Sequence, residues 1–437
     1  MVTLLPLWFA TVCVPVQPAV SVQPSASVQP SASMQPSASM QPSASMQPSA
    51  SMQPSAPVQP PAPMGLVASD VADEAGIFEI TASWSLAAAD VDGDGLEDFL
   101  VVRHLDAARL YRNEGGRFAE VGVGTFAVSD RHDCDWADVD QDGLVDVYCS
   151  VGAEHGTSVK ANELWMQGPD DSFVDQATEF GVADPYGRGR RITFIDVNHD
   201  AYPDLFVGNI FPRQDGVPSP NRLFINRGGQ RFREAPRFGL TEEVGAGCVQ
   251  AADFDGDGWE DLLVCGLGSL RLYRNEEGEA FADVSASVGI SGAARSARLE
   301  DLNGDGRLDL VQSQGHVVSV RLQGSGRFRA PSFSVTLRAG ARISVGDVDA
   351  DGTPDLYLVV GCGSTGRNLP DVMLVNRGRA RFDRVSLPQA QGGCGDVALP
   401  IDHDASGTTD FVVTNGREFV DGEPVAGPAQ LISFSFG

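Results

Sequence analysis

The chain of 437 residues carries 59 acidic against 31 basic residues, and its formal charge of −28 would repel a phosphate backbone, which excludes nucleic acid as a partner. Hydrophobic residues make up 42%, enough for a packed core and too many for wholesale disorder. The 49 glycines and 8% aromatics point to many tight turns, hence an all-β protein and not a helical bundle.

Residues 1–15 read as a signal-like segment: Leu4, Leu5, Leu7, Trp8 and Phe9 form an apolar stretch of secretory-signal length, without the usual basic flank. Cys13 follows Ala10-Thr11-Val12, which loosely resembles a bacterial lipoprotein signal and would supply an N-terminal lipid anchor. Ala10 and Val12 depart from that pattern, so a plain signal peptide, or a start placed too late, is favoured. Beyond it no apolar run reaches about 18 residues, so no spanning helix is expected in the body. Residues 16–68 form a linker of six-residue repeats, such as Val22-Gln23-Pro24-Ser25-Ala26-Ser27. Uncharged, sparse in apolar residues and regular in Pro, it reads as a disordered spacer with polyproline II character. Its length, about 150 Å if extended, would hold a folded head away from a membrane or wall.

Residues 69–437 repeat. The anchor is D-x-D-x-D-G-x-x-D, with first aspartates 46 to 58 residues apart. Copy one is Asp90, Asp92, Asp94 and Asp98, and copy two Asp138, Asp140, Asp142 and Asp146. Copy three, Asp196, Asn198, Asp200 and Asp204, has Ala201 where the others have Gly. Copy four is Asp253, Asp255, Asp257 and Asp261; copy five Asp301, Asn303, Asp305 and Asp309; copy six Asp347, Asp349, Asp351 and Asp355. Copy seven, Asp402, Asp404, Ser406 and Asp410, has a neutral fifth position. Oxygens at positions 1, 3 and 5 of a tight loop converge on one point, the glycine permits the turn, and the ninth residue closes the shell. The seventh adds a backbone carbonyl, from Leu96, Leu144, Tyr202, Trp259, Arg307, Thr353 and Thr408 in turn. An all-oxygen set of this kind suits Ca²⁺, so up to seven ions are expected. His199 and His403, at positions 4 and 2 of their loops, read as solvated.

The loop is not an EF-hand, since position 12 is Val101, Cys149, Val207, Val264, Gln312, Leu358 or Val413 and never acidic. Its flanks are β-rich: Ile192–Ile195 and Ile343–Val345 before it, Phe99–Val102, Leu205–Val207, Leu262–Val264 and Leu356–Val359 after it. The loop therefore joins two antiparallel strands. A third strand often ends in Asn (Asn113, Asn226, Asn275, Asn376), and a fourth is expected around Phe118, Phe173, Phe232, Phe281, Phe328 and Phe382. Four antiparallel strands per repeat make a β-propeller blade. Only six fourth strands follow a third, which predicts a seven-bladed β-propeller whose last blade is closed by an N-terminal strand at Gly76–Ile80, paired with Leu431–Phe434.

The strand–loop–strand unit resembles the FG-GAP/VCBS repeat of integrin α propellers. The phrases Asn221-Arg222-Leu223-Phe224-Ile225-Asn226-Arg227-Gly228 and Phe281-Ala282-Asp283-Val284-Ser285 resemble the cartilage-acidic-protein-like group. The resemblance implies an extracellular seven-bladed propeller with Ca²⁺ at one face and ligand contacts at the other, and no single activity.

Cys134 and Cys149 straddle the second loop at offsets whose sum equals that of Cys248 and Cys265 about the fourth. Opposed residues of a hairpin share a constant index sum, so both pairs should face each other within disulfide range. Cys362 and Cys394 would form a third bridge between neighbouring blades, and three bridges would agree with export. On the face opposite the loops, long connections offer His155, Phe211, Arg213, Arg367, Arg417 and Phe419, and the segment Tyr186–Arg191 adds Arg188, Arg190 and Arg191. These could meet an acidic glycan or a carboxylate side chain, or form local salt bridges. Gly361–Gly366 matches G-x-G-x-x-G without a following helix, and no hydrolase, zinc-protease or P-loop motif occurs. The expectation is a monomeric, secreted or cell-surface binding or adhesion module for an extracellular protein or glycan, not an enzyme. The alternative is a carbohydrate-active enzyme on a propeller scaffold.

Overall fold

In the computed structural model the described residues are 65–436, apart from 79–82, 154–156, 211–212, 242–245, 267, 363–367, 389–393, 421–422 and 426. The chain divides into two units, Met1–Pro60 and Pro61–Gly437. The signal-like segment, Cys13 and the hexapeptide repeats up to residue 64 lie outside the described residues, as do His155, Phe211 and Arg367 and the side chains of Arg417 and Phe419.

The second unit is all-β and propeller-like, and its antiparallel sheets repeat one plan. In the third repeat Gly189–Ile195, Asp204–Asn209, Arg222–Asn226 and Phe232–Glu234 pair in that order. Asp204–Asn209 is buried along its whole length because strands and packed side chains cover it on every side, so it reads as a continuous apolar run. The same order recurs in Cys248–Ala252, Asp261–Cys265, Leu270–Asn275 and Phe281–Asp283, and in Ala341–Gly346, Asp355–Val360, Val372–Asn376 and Phe382–Val385. An eight-stranded sheet holds two such sets. Ser83–Ala89, Asp98–Asp106, Arg109–Asn113 and Phe118–Val121 join Ser129–Ala137, Asp146–Val151, Glu163–Gln167 and Phe173–Asp175 through the pairing of His104 with Asp130.

Two sets depart from the expected strands. Around the fifth loop, Ser296–Glu300, Asp309–Gln314 and Val317–Arg321 are flanked by Phe333–Thr336. Phe328 keeps its register opposite Gln323 but belongs to a two-residue ribbon with it. Pro331, which has no N–H to give, separates this ribbon from the resumed outer strand. In the last set, Val397–Ile401, Asp410–Thr414 and Gln430–Phe436 are completed by the N-terminal strand Leu66–Asp70; of the expected strand Gly76–Ile80, residues 76–78 are not in a strand and 79–80 lie outside the described residues. Leu66, Val67 and Ala68 fall within residues 16–68, expected as linker, and are strand instead. Val71–Gly76 instead folds into a turn with Gly76 at φ 81°, where an added Cβ would meet the Phe118 carbonyl at 2.8 Å. Ile77 is buried because it plugs a core cluster, not because it lies in a strand.

The core lies between sheets. Ile195, Phe206 and Leu223 of one set pack with Leu262, Val264 and Tyr273 of the next. Phe99, Val101 and Tyr111 of the first set pack with Ile401, Val412 and Leu431 of the last. The first strand of each set likewise lies against its successor's, and Val397–Ile401 lies against Ser83–Ala89. Three disulfides join the expected partners, Cys134–Cys149, Cys248–Cys265 and Cys362–Cys394, with Cα separations of 4.1, 5.0 and 5.1 Å. The first two pairs sit in register across their hairpins, as the index sums require.

Candidate functional site

Each acidic loop joins the first strand of a set to the second, and its backbone is fixed before any ion is considered. Positions 4 and 6 take left-handed φ in all seven copies, from Gly93 at 74° and Gly95 at 89° to Ala405 at 56° and Gly407 at 82°. In copy three both positions are non-glycine, His199 at 56° and Ala201 at 69°, a backbone region that residues with a Cβ disfavour. The first aspartate accepts backbone N–H bonds from within its loop: Asp90 Oδ1 from Gly93 (2.8 Å) and Asp94 (3.0 Å), Oδ2 from Gly95 (2.9 Å). The fifth residue accepts the amide of the seventh, as Asp94 does from Leu96 and Asp257 from Trp259. Three carboxylates converge within 4.8 Å in Asp90/Asp92/Asp94, Asp138/Asp140/Asp146 and Asp253/Asp255/Asp261.

The ninth position behaves differently. Asp98, Asp146, Asp204, Asp261, Asp309, Asp355 and Asp410 are all buried. In the first six copies this carboxylate accepts the N–H of position 2 and the N–H of the residue ending the third strand or, in copy five, of Gln323 two residues beyond it. Asp204, for example, takes Val197 N–H at 3.1 Å and Asn226 N–H at 2.7 Å. Burial outweighs these bonds and pushes Asp146, Asp204, Asp261 and Asp355 up to about 7. Buried carboxylates facing further carboxylates form a donor set that fits a hard divalent cation.

The strand-ending amide has a second task. Asn226 Nδ2 donates to the Val139 carbonyl at position 2 of the preceding loop (2.9 Å). Gln167 does so to Val91, Asn275 to Val197, Gln323 to Phe254 and Asn376 to Leu302. Asn113, in the first repeat, donates to the His403 carbonyl of the last at 2.9 Å. The sequence showed the Asn ending, but not that Gln167 and Gln323 stand in for it or what the amide does.

Copy seven corrects one reading. His403 is not solvated: it is buried, and its Nδ1 bonds the Asp410 carboxylate. Burial works against the imidazolium, yet the Asp410 partner wins and raises its pKa. His199 is exposed and stacks on Trp259 at 3.8 Å. Arginines also reach the loops, Arg112 to Asp92 (3.0 Å), Arg307 to Asp305 and Arg377 to Asp349.

The strand-start end of the sheets, opposite the loops, holds a cavity of about 860 Å³ that the sequence did not reveal as one. Trp84, His104, Asp130, His132, Arg190 and Arg342 are among its lining residues, with Arg188 and Arg191 of the expected arginine cluster. Asp130 Oδ1 lies 2.5 Å from His104 Nε2 and 3.2 Å from His132 Nε2. Burial holds His132 down at about 3, so it is neutral. Arg213, expected beside them as a contact residue, is instead a buried strut that bonds Asp215 and the Tyr186, Gly187 and Ser158 carbonyls.

An all-β repeat protein with an acidic loop between the first two strands of each set is the class that fold and site define. A family model described as FG-GAP-like repeat matches residues 90–149, 213–264, 253–312 and 301–358. The chain is 28% identical over 186 residues to cartilage acidic protein 1 of Homo sapiens, covering 39% of this chain and 26% of that protein. It is 29% identical over 100 residues to integrin alpha-3 of Cricetulus griseus, covering 21% and 10%. These matches span about a quarter or less of the relatives' own length. Among solved structures it is similar to BBS1N in complex with ARL6DN, soaked with lead, at 10% identity and a TM-score of 0.51, covering 83% of this chain and 94% of that one. That is a likeness of fold alone. The chain carries FG-GAP-like repeats and is similar over part of its length to cartilage acidic protein 1 and integrin alpha-3.

Proposed function

We propose that this chain is an extracellular, Ca²⁺-stabilised seven-bladed propeller, monomeric, that serves as a ligand-binding or adhesion module for an extracellular protein or glycan. The observation that carries the reading is the acidic loop itself, with its buried ninth carboxylate tied to the next repeat's strand end. The ring is supported by the amide hydrogen bonds that pass from each of the second to sixth repeats to the one before it, by the Thr409 N–H bond to the Asp347 carbonyl between the seventh and sixth, and by the return from Asn113 to His403. Calcium is supported by the all-oxygen donor sets, held by the residues of positions 1, 3, 5 and 9 with the carbonyl of position 7. When bound, the ion supplies charge neutralisation and rigidity at one end of each sheet. Seven such ions would cancel half of the −28. Export is supported by the three disulfides, and among the described residues no helix is long and apolar enough to cross a membrane.

The test is an array of glycans and matrix proteins probed with the full chain, with and without Ca²⁺. The expected result is binding to at least one class that is lost in EDTA and restored by Ca²⁺. Binding indifferent to EDTA, or none, would overturn the reading. Release of a shortened product from a bound glycan would transfer the assignment to a carbohydrate-active enzyme.

A further inference from the structure

The cavity opposite the acidic loops carries the wrong sign for this molecule. In a chain of charge −28, Arg188, Arg190, Arg191, Arg295 and Arg342 line it against Asp130 and Asp396, with Asp133 behind the wall pairing Arg191 at 3.0 Å. Gathering guanidinium groups in a concave, partly dehydrated site raises their mutual repulsion, and it is relieved when an anion enters. Arg342 shows the strain most clearly. Burial first, and then the nearby Arg191 guanidinium, push it down to about 9, with Arg295 adding to the effect and Asp396 and Asp133 opposing it. Its one hydrogen bond among the described residues is a long one, 3.4 Å to the Trp84 carbonyl, so most of its donors are unused. His132, 3% exposed, has no hydrogen-bond partner for Nδ1 among the described residues.

The other walls narrow the class of anion. Trp84 stands beside the two imidazoles, 4.7 Å from His132 and 5.5 Å from His104 between ring centroids. An aromatic face beside polar hydrogen-bonding groups is a surface for a sugar ring and its hydroxyls. A cavity of about 860 Å³ is far larger than a free inorganic anion needs and holds a small organic ligand. His104, Asp130 and His132 do bring three ligand atoms within 4.8 Å, which could suit a cation. The surrounding guanidiniums outnumber the nearby carboxylates Asp130, Asp133 and Asp396 and oppose a cation.

We propose that this cavity binds a uronate, the carboxylate-bearing ring of an acidic saccharide, with Arg342 and the neighbouring arginines facing the carboxylate and Trp84 against the ring. The inference rests on the reading of the protein as a ligand-binding module and names the chemistry of one ligand. Calorimetric titration of the full chain in Ca²⁺ tests it, with tetragalacturonate, neutral galactotetraose and hexaglutamate as probes. Tetragalacturonate should bind at least tenfold more tightly than either of the others. Arg342→Gln should weaken tetragalacturonate at least tenfold. It should leave the melting temperature unchanged or raised, because it removes a crowded charge. Trp84→Phe, which keeps a ring, should weaken binding less than Arg342→Gln. Equal binding of galactotetraose, no binding at millimolar tetragalacturonate, or full affinity in Arg342→Gln would overturn the proposal. Preference for hexaglutamate would overturn the saccharide assignment alone. A Ca²⁺-dependent array hit elsewhere would leave the module reading standing after any of these failures.

Discussion

Two residue types set the acidic loops, and each makes a separate demand. Left-handed φ is needed at positions 4 and 6, and copy three meets both demands without glycine. Ala201→Gly should therefore stabilise the protein by about 0.5–1 kcal/mol, since it removes a Cβ from a conformation that L-residues disfavour. Urea unfolding should show a higher midpoint with an unchanged slope, and a lower midpoint would mean that the loop tolerates Ala201 without strain. The ninth carboxylate makes the second demand, charge compensation. In metal-free protein Asp146, Asp204, Asp261 and Asp355 titrate near 7, against about 3.9 when unfolded. Between those values the native state binds more protons than the unfolded one, so its stability is greatest in acid and declines as pH rises through about 7. Melting in EDTA should thus occur at a higher temperature at pH 5 than at pH 7.5. With saturating Ca²⁺ the order should reverse, because the ion binds only the ionised set. A melt in EDTA that is flat across this range would show these carboxylates to be charge-compensated by the chain alone.

At the scale of strands and sheets, the hydrophobic clusters and the strand-end amides do the joining. Asn226 Nδ2 serves two carbonyls, Val139 at 2.9 Å and Pro203 at 3.2 Å, while its Oδ1 receives the Gly229 amide at 2.9 Å. Asn226 itself is fully buried, as is its bond to Val139, so Asn226→Ala leaves a buried carbonyl unsatisfied and should cost about 2–3 kcal/mol. The loss is measurable as a lower urea midpoint, whereas alanine at exposed Arg227 should change little. An Asn226→Ala protein as stable as its parent would deny the amide its joining role. The acidic loops and the strands beside them were legible in the sequence because spacing is strict there: a ligand position cannot slide without leaving the loop. The strand that completes the last sheet was not. Leu66-Val67-Ala68-Ser69-Asp70 is short and half-exposed, and it follows repeats of similar composition. Ile77 offered a stronger apolar signal although it serves only as a plug. Phe328 misled for a related reason, since register with Gln323 survives where the strand itself is broken by Pro331.

Across the molecule, the two ends of the sheets have opposite chemistry. One end carries the acidic loops; the other holds the arginine-lined cavity. The cavity was not legible because its lining comes from first-strand starts and second-strand ends scattered from Ser83 to Asp396, each unremarkable by itself. The disulfides were legible, since hairpin register turns two index sums into a geometric statement. Everything about function depends on whether the acidic loops hold calcium as a structural part of the protein. The direct measurement is calcium titration of the chelated full chain by calorimetry, followed by a thermal melt of the same samples. Binding of several Ca²⁺ per chain, up to seven, with a marked rise in melting temperature is the expected result; no bound calcium and an unchanged melt would contradict it.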